Sequence, residues 1–419
     1  MNALPRLRRV RQNFPPTPPL DIRATLDAGF ADLRGRISPG TRIAVGVGSR
    51  GITNLAAIVA AVLDLLRAAG AQPFIFPAMG SHGGATPEGQ TEVLATYGIT
   101  EETMGVPIRA SLEVQQVGES ADGVPVFCST EAMAADAIVL INRIKPHTDF
   151  GGALGSGLVK MCVIGLGKRA GATAMHIAAS RIGYERAIRG MANVMLQVAP
   201  ILAGVAILEN QFHQTARLAV LSPDRIATDE NALLAESRAL MPFLPFDEID
   251  LLIVDRIGKN ISGIGMDPNV INRGAQGYSG SLMREDQPAP FIRRIFVRDL
   301  TPETHGNAIG IGLADITTTR LVRAMDHEST YINALTALTL GSAKIPIYFE
   351  TDREAITTAL TSLAIPDTSA ARIVRISDTL NLSEIEVSEA LWKEVSANTA
   401  LSSISEPREI PFDGSGNLA

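Results

Sequence analysis

INRIKPHTDFGGALGSGLVKMCVIGLGKRAGATAMH, from Ile141 to His176, is the stretch that decides how this chain is read. It opens on the end of an apolar run of strand length, Ala137 to Asn142, and leads into a helix-like run from Lys168 onward. Between His147 and His176 lie seven glycines, Gly151, Gly152, Gly155, Gly157, Gly165, Gly167 and Gly171, together with Lys160 in otherwise apolar surroundings. Glycine lets backbone approach a ligand closely and turns amides toward anions. The loop is therefore expected to hold a bound group, and a phosphorylated one fits best. Ligands of open α/β sheets collect at such carboxyl ends of strands.

Upstream, two strand, turn and helix units repeat the pattern. Arg42 to Val47 has strand character and passes through GVGSRGITN into a helix from about Leu55 to Ala69, with Leu55, Ile58, Val59, Val62, Leu63 and Leu66 at helical spacing. Ser49 to Thr53 offers amides at a helix start, where anions are favoured, and Arg50 adds a guanidinium fork suited to a carboxylate or phosphate. Gly46, Gly48 and Gly51 match a dinucleotide fingerprint, but the next strand, Pro73 to Pro77, ends without the acidic residue that would hold a ribose. That strand turns through AMGSHGGATPEGQ into a helix beginning at Pro87. His82 stands in this turn among glycines, where a core histidine would have apolar neighbours, so a catalytic or ligand role is expected.

The fold class that follows is α/β: two α/β domains with a cleft between them, the amino-terminal one Rossmann-like. The first spans residues 1–245 and the second 246–419. In the second, Leu251 to Val254, Phe291 to Val297, Ile309 to Leu313 and Ile345 to Phe349 read as strands. Thr317 to Met325, Thr330 to Leu338 and Thr351 to Leu363 read as helices. The basic start, MNALPRLRRVRQNF, reads as a surface arm, and the polar tail after Ser405 as flexible.

A net charge of -7 over 419 residues argues against a nucleic-acid partner. Only Cys128 and Cys162 are present, in no CxxC pairing, which excludes a disulfide framework and a thiolate metal cluster and suits a reducing cytoplasm. The most apolar long region, Ala187 to Leu208, is broken by Arg189, Asn193, Gln197 and Pro200, so no membrane span is expected. Three histidines and a lysine at glycine-rich strand ends point to proton handling with a metal or cofactor. His82, His147 and His176 are too dispersed for a zinc motif, yet they could converge in space. A metal-dependent hydrolase or lyase and a non-catalytic cofactor-binding protein both stay open on the residues alone.

KPHTDFGGALGSGLVK, followed sixteen positions after Lys160 by His176, resembles the signature of the nickel-pincer nucleotide-dependent lactate racemase family. The SRGITN and GSHGG turns resemble that family's two upstream motifs in the same order. The resemblance covers roughly the first 180 residues and is much weaker beyond about residue 245. It implies a cytoplasmic racemase or epimerase of a 2-hydroxy acid, with hydride moving to and from a tethered nickel pyridinium-3,5-bisthiocarboxylic acid mononucleotide made by partner cofactor-synthesis proteins. Lys160 would carry the covalent link, His176 would be the nickel ligand, and His82 and His147 the acid/base pair. Arg50 would hold the substrate carboxylate, with Ser49, Arg50, Gly51, Gly155, Ser156 and Gly157 around the cofactor. Two departures bear on substrate identity. Val47 stands where the family often has an acidic residue, and the family's substrate-facing lysine has no verbatim motif, Lys259 being the candidate.

Overall fold

A computed structural model describes residues 4–48, 51–80, 82–148, 152–274 and 290–419. The chain divides into two compact units, one of residues 17–147 with 152–241 and one of residues 1–16, 148–151 and 242–419.

The first unit is built on a five-stranded sheet in the order Gln72–Pro77, Arg42–Val47, Ala137–Arg143, Ile201–Glu209, Thr215–Leu221. The first four strands are parallel, with Val45 opposite Ile75 on one side and Val139 on the other, and the last pairs antiparallel. Strands covered by helices on both faces are apolar throughout rather than alternating, and Ile43 to Val47 is buried at every residue. The helix Leu55–Ala68 closes one face with Leu55, Ile58, Val59, Val62, Leu63, Leu65 and Leu66. In chain order the strands run 2-1-3-4-5, the doubly wound arrangement whose crevice opens where the order reverses. The turns after Val47, Pro77 and Arg143 therefore leave one edge of one sheet.

Gly46 and Gly48 answer to this sheet and not to a dinucleotide. A Cβ on Gly46 would lie 2.8 Å from the Phe76 ring, and one on Gly48 2.8 Å from the Asn142 amide oxygen.

The second unit holds an eight-stranded sheet, Ile347–Phe349, Ile316–Thr318, Phe291–Leu300, Glu248–Ile257, Ile373–Ile376, Glu384–Ser388, Leu7–Gln12, Leu401–Ser403. Three sequence expectations give way here. The basic start is no arm: Leu7–Gln12 is a strand pinned antiparallel between two others, with Leu7, Val10 and Gln12 inward and Arg9 and Arg11 on Glu384. Two apolar residues and a glutamine, whose amide donates to the Leu382 carbonyl at 2.7 Å, are too faint a pattern to read as a strand. Ile309 to Leu313 is not extended but ends in a 3-10 turn, Ile311–Leu313. Gly310 adopts φ +94, and a Cβ there would sit 1.9 Å from the Ile264 carbonyl oxygen, so the backbone turns where only glycine fits. The tail is docked, with Leu7 and Arg408 exchanging backbone bonds at 2.8 Å and the Leu418 amide donating to Asp352 at 2.8 Å. Among the described residues no helix is long and apolar enough to cross a membrane.

Candidate active site

The turn after Gln72–Pro77 is tied to the neighbouring strand Arg42–Val47 by the Ala78 amide, which donates to the Val47 carbonyl at 2.9 Å. His82, half-buried, precedes the short 3-10 turn Gly83–Ala85. The helix Pro87–Thr96 follows, capped by the Thr86 hydroxyl, which accepts from the Gly89 amide at 3.1 Å. Gly83 has φ +61, and a Cβ on it would lie 2.3 Å from the Gly89 backbone, so the His82 turn lies flat on the start of that helix.

The loop after Ala137–Arg143 is closed at its neck, where Lys145 and Ser156 exchange backbone bonds at 2.8 Å in both directions. His147, buried, stands just inside the neck. The Asn142 amide donates to the Gly157 carbonyl at 2.9 Å and sets the start of the helix Leu158–Lys160. The amide of Val159 donates to Glu230 at 2.9 Å, and Leu158 contributes a second bond to the same carboxylate. The protein thus places its own carboxyl group at this helix start. Glu230 is fully buried, and desolvation pushes its pKa up to about 7 against the pull of those two amides. The glycines fit the same packing. A Cβ on Gly157 would meet Glu230 at 2.5 Å, and one on Gly155 the Lys145 carbonyl at 2.5 Å.

One turn into this helix, Lys160 Nζ lies 2.5 Å from His147 Nε2. An amine beside an imidazole nitrogen has a proton acceptor in place, the arrangement a nucleophilic or acylated lysine needs.

The helix continues as a π-turn, Met161–Gly165, and then Leu166–Ile182, which is broken at Lys168 with φ +54 and ψ -150. The break matters because sixteen residues of straight helix would set Lys160 and His176 roughly 24 Å apart and on opposed faces. Beyond it the chain folds back: a Cβ on Gly171 would lie 2.6 Å from the carbonyl oxygen of Val163, eight residues earlier. Straight helix would separate those two by roughly 12 Å. His176 is half-buried, with its ring edge-on to Tyr184 at 6.1 Å.

Ser49 and Arg50 lie outside the described residues. The turn that follows them is held from the third and fourth strands: Arg143 Nη1 donates to the Gly51 carbonyl at 3.1 Å, Glu209 accepts the Thr53 amide at 2.7 Å, and Arg143 and Glu209 are themselves ion-paired. Gly51 is exposed. Lys259 belongs to the other unit, exposed, with Nζ donating to Asn333 Oδ1 at 2.5 Å.

Lys160 and His147 are therefore in contact, and His82 and His176 stand on elements that leave the same sheet edge. Sequence reasoning passed over Glu230, Glu209, Arg143 and Lys168. Glu230 had a signal, since it interrupts the buried stripe Ile226, Leu233, Leu234, Ser237 of the helix Pro223–Ala239. Among the described residues no three His, Cys, Asp or Glu side chains are placed to hold a metal ion. Cys128 and Cys162 are buried and unbridged, and burial pushes the Cys128 thiol up to about 12, which leaves it inert. A cavity of 630 Å³ between Phe127, Thr173 and Ile177 includes none of the candidate residues.

Residues 16–186 match the family model of the lactate racemase N-terminal domain. The lactate racemase apoprotein of Thermoanaerobacterium thermosaccharolyticum superposes with a TM-score of 0.53 at 14% identity, covering 89% of this chain and 93% of that one. No curated protein matches. Residues 16–186 are thus similar to a lactate racemase N-terminal domain, and the chain shares its α/β fold with a lactate racemase over most of its length.

Proposed function

We propose that this chain is a racemase or epimerase of a 2-hydroxy acid, working with a nickel-pincer nucleotide tethered to Lys160. The observation that carries the reading is the 2.5 Å contact between Lys160 Nζ and His147 Nε2 on a helix whose continuation bears His176. The residues fit the group. Lys160 offers an amine with a proton acceptor beside it, and His176 an imidazole, a donor that suits nickel alongside sulfur. A hydrolase or lyase with directly ligated metal would need a ligand cluster, and the described residues contain none.

When bound, the cofactor would supply an electrophilic pyridinium carbon able to take and return a hydride. The chain's own part is proton handling. The C2 hydrogen of a 2-hydroxy acid is weakly acidic, so its departure as hydride while a histidine takes the hydroxyl proton avoids a carbanion. Because a flat 2-oxo acid can be approached from either face, each face would need its own base. His147 and His82 are assigned to those two faces. With Lys160 joined to the cofactor, His147 would be released from that amine and free to act as a base. Arg50 would hold the carboxylate bidentately, and Lys259 is the candidate for contacts to further oxygens.

Coexpression with cofactor-synthesis proteins, followed by mass spectrometry of the Lys160 peptide and a panel of chiral 2-hydroxy acids, tests the reading. A mass adduct on Lys160 with bound nickel, and loss of optical purity in at least one acid, is expected. Unmodified Lys160 and no turnover would overturn it. His82→Ala and His147→Ala should each keep nickel and lose on the order of 100-fold or more in turnover, as removal of a general base does.

A further inference from the structure

Lys168 is the one lysine among the described residues that is fully buried, at 1% exposure, and its backbone sits at φ +54, ψ -150, which L side chains rarely adopt. A chain that needed only the corner would be served by glycine there. A side chain kept at such a position is kept for what it touches.

What it touches is the His82 turn. Lys168 Nζ donates to the carbonyl of Pro77, the last strand residue before that turn, and to Gln90 Oε1 at 3.2 Å. Gln90, also fully buried, donates from Nε2 to the Gly80 carbonyl at 3.1 Å and the Met79 carbonyl at 3.4 Å. Carbonyls from Pro77 to Gly80 are thus gripped by two side chains in contact with each other. The same turn is packed on the helix corner, since a Cβ on Gly80 would lie 2.9 Å from Ile164 and one on Gly165 3.0 Å from the Ala78 carbonyl. Lys168 itself lies midway in sequence between Lys160 and His176. Burial lowers its pKa to about 8, and its partners among the described residues are neutral oxygens and the Phe76 ring at 5.8 Å.

We infer that Lys168 and Gln90 form a positioning pair that fixes the His82 turn against the corner joining the Lys160 and His176 segments. The inference rests on the proposed function for its purpose and on the hydrogen bonds for its geometry. With the pair intact, His82 has one placement relative to the two cofactor-bearing segments, and proton transfer depends on placements held to about 1 Å.

The test uses the full chain with 13C-labelled histidine, without and then with cofactor loading. Lys168→Gly relieves the backbone and removes the side chain, so it should fold with an unchanged circular dichroism spectrum. In it the His82 ring resonance should shift or split while those of His213, His305 and His327 stay. Gln90→Met should do the same, and it carries the test if Lys168→Gly does not fold. A single unshifted His82 line in either folded variant overturns the inference, whatever the enzyme does. In loaded protein each variant should lower kcat on the order of 10- to 100-fold with KM little changed, and the double variant should lose no more than the worse single one. Losses that multiply would overturn the pairing. A wild-type chain that racemises nothing but shows the His82 response would fail the functional reading and leave this one standing.

Discussion

In the unit with the eight-stranded sheet, the most deeply buried carboxylate belongs to a matched set of charges. Asp352, fully buried, accepts from Arg298 at 3.0 Å and Arg320 at 2.7 Å, and Asp255 joins Arg298 to Arg375. In the five-stranded unit, Lys168 and Glu230 are buried with neutral hydrogen-bond partners and no ion pair among the described residues. Matched sets are how a fold tolerates charge it has removed from water, whereas a buried charge left to neutral partners is costly and collects around functional sites. The two isolated groups both brace the elements that carry the candidate residues: Glu230 the helix start of Lys160, Lys168 the turn of His82.

The contrast breaks most visibly at Asp352. Asp352→Ala removes a fully buried carboxylate and leaves Arg298 with Asp255 and Arg320 with Asp299 as ion-pair partners, so a loss of about 3 kcal/mol is expected by urea denaturation. A loss below about 1 kcal/mol would mean that the arginines reach water and the matched set is not holding them.

Glu230 gives the next effect, with a defined sign. Below pH about 4.5, its ordinary value, the carboxyl is protonated in both folded and unfolded chains. Between there and its folded value of about 7, the unfolded chain releases the proton and the folded chain keeps it. Stability contributed by Glu230 is therefore complete at low pH and lost as pH rises through about 7, a swing on the order of 3 kcal/mol. Glu230→Gln should flatten the stability profile over that window. An unchanged slope would assign the titration elsewhere.

These groups also mark where sequence reasoning stopped. The strand, turn and helix units of the five-stranded sheet were legible because long apolar runs ending in glycine-rich turns have few other readings, and Arg42–Val47 falls where its pattern sets it. The loop with His147 and Lys160 stood out as a candidate site for the same reason. What joins them was not legible. The contact between those two side chains depends on a neck closed by Lys145 and Ser156, and the corner at Lys168 on a buried side chain in a helical run, neither of which has a local pattern. The eight-stranded sheet was the least legible, because it takes Leu7–Gln12 from one end of the chain and Leu401–Ser403 from the other.

The smallest expected effect lies where the comparison is least sharp, at the paired carboxylate of the five-stranded unit. Glu209 closes the fourth strand, accepts the Thr53 amide at 2.7 Å and pairs with Arg143, whose side chain is 18% exposed at the sheet edge. Glu209→Gln keeps an acceptor for Thr53 and loses the charge attraction to one arginine, where Asp352→Ala removes a carboxylate that serves two. The stability cost should therefore be about 1–2 kcal/mol, well under that of Asp352→Ala. The turn it loosens begins one residue after Arg50, the group assigned to the substrate carboxylate, so binding should suffer more than chemistry. In cofactor-loaded protein KM for the best 2-hydroxy acid should rise roughly 3- to 10-fold with kcat held within about 2-fold. A fall in kcat at constant KM would show that this turn serves the reacting groups, and would move Arg50 from substrate binding into the chemistry.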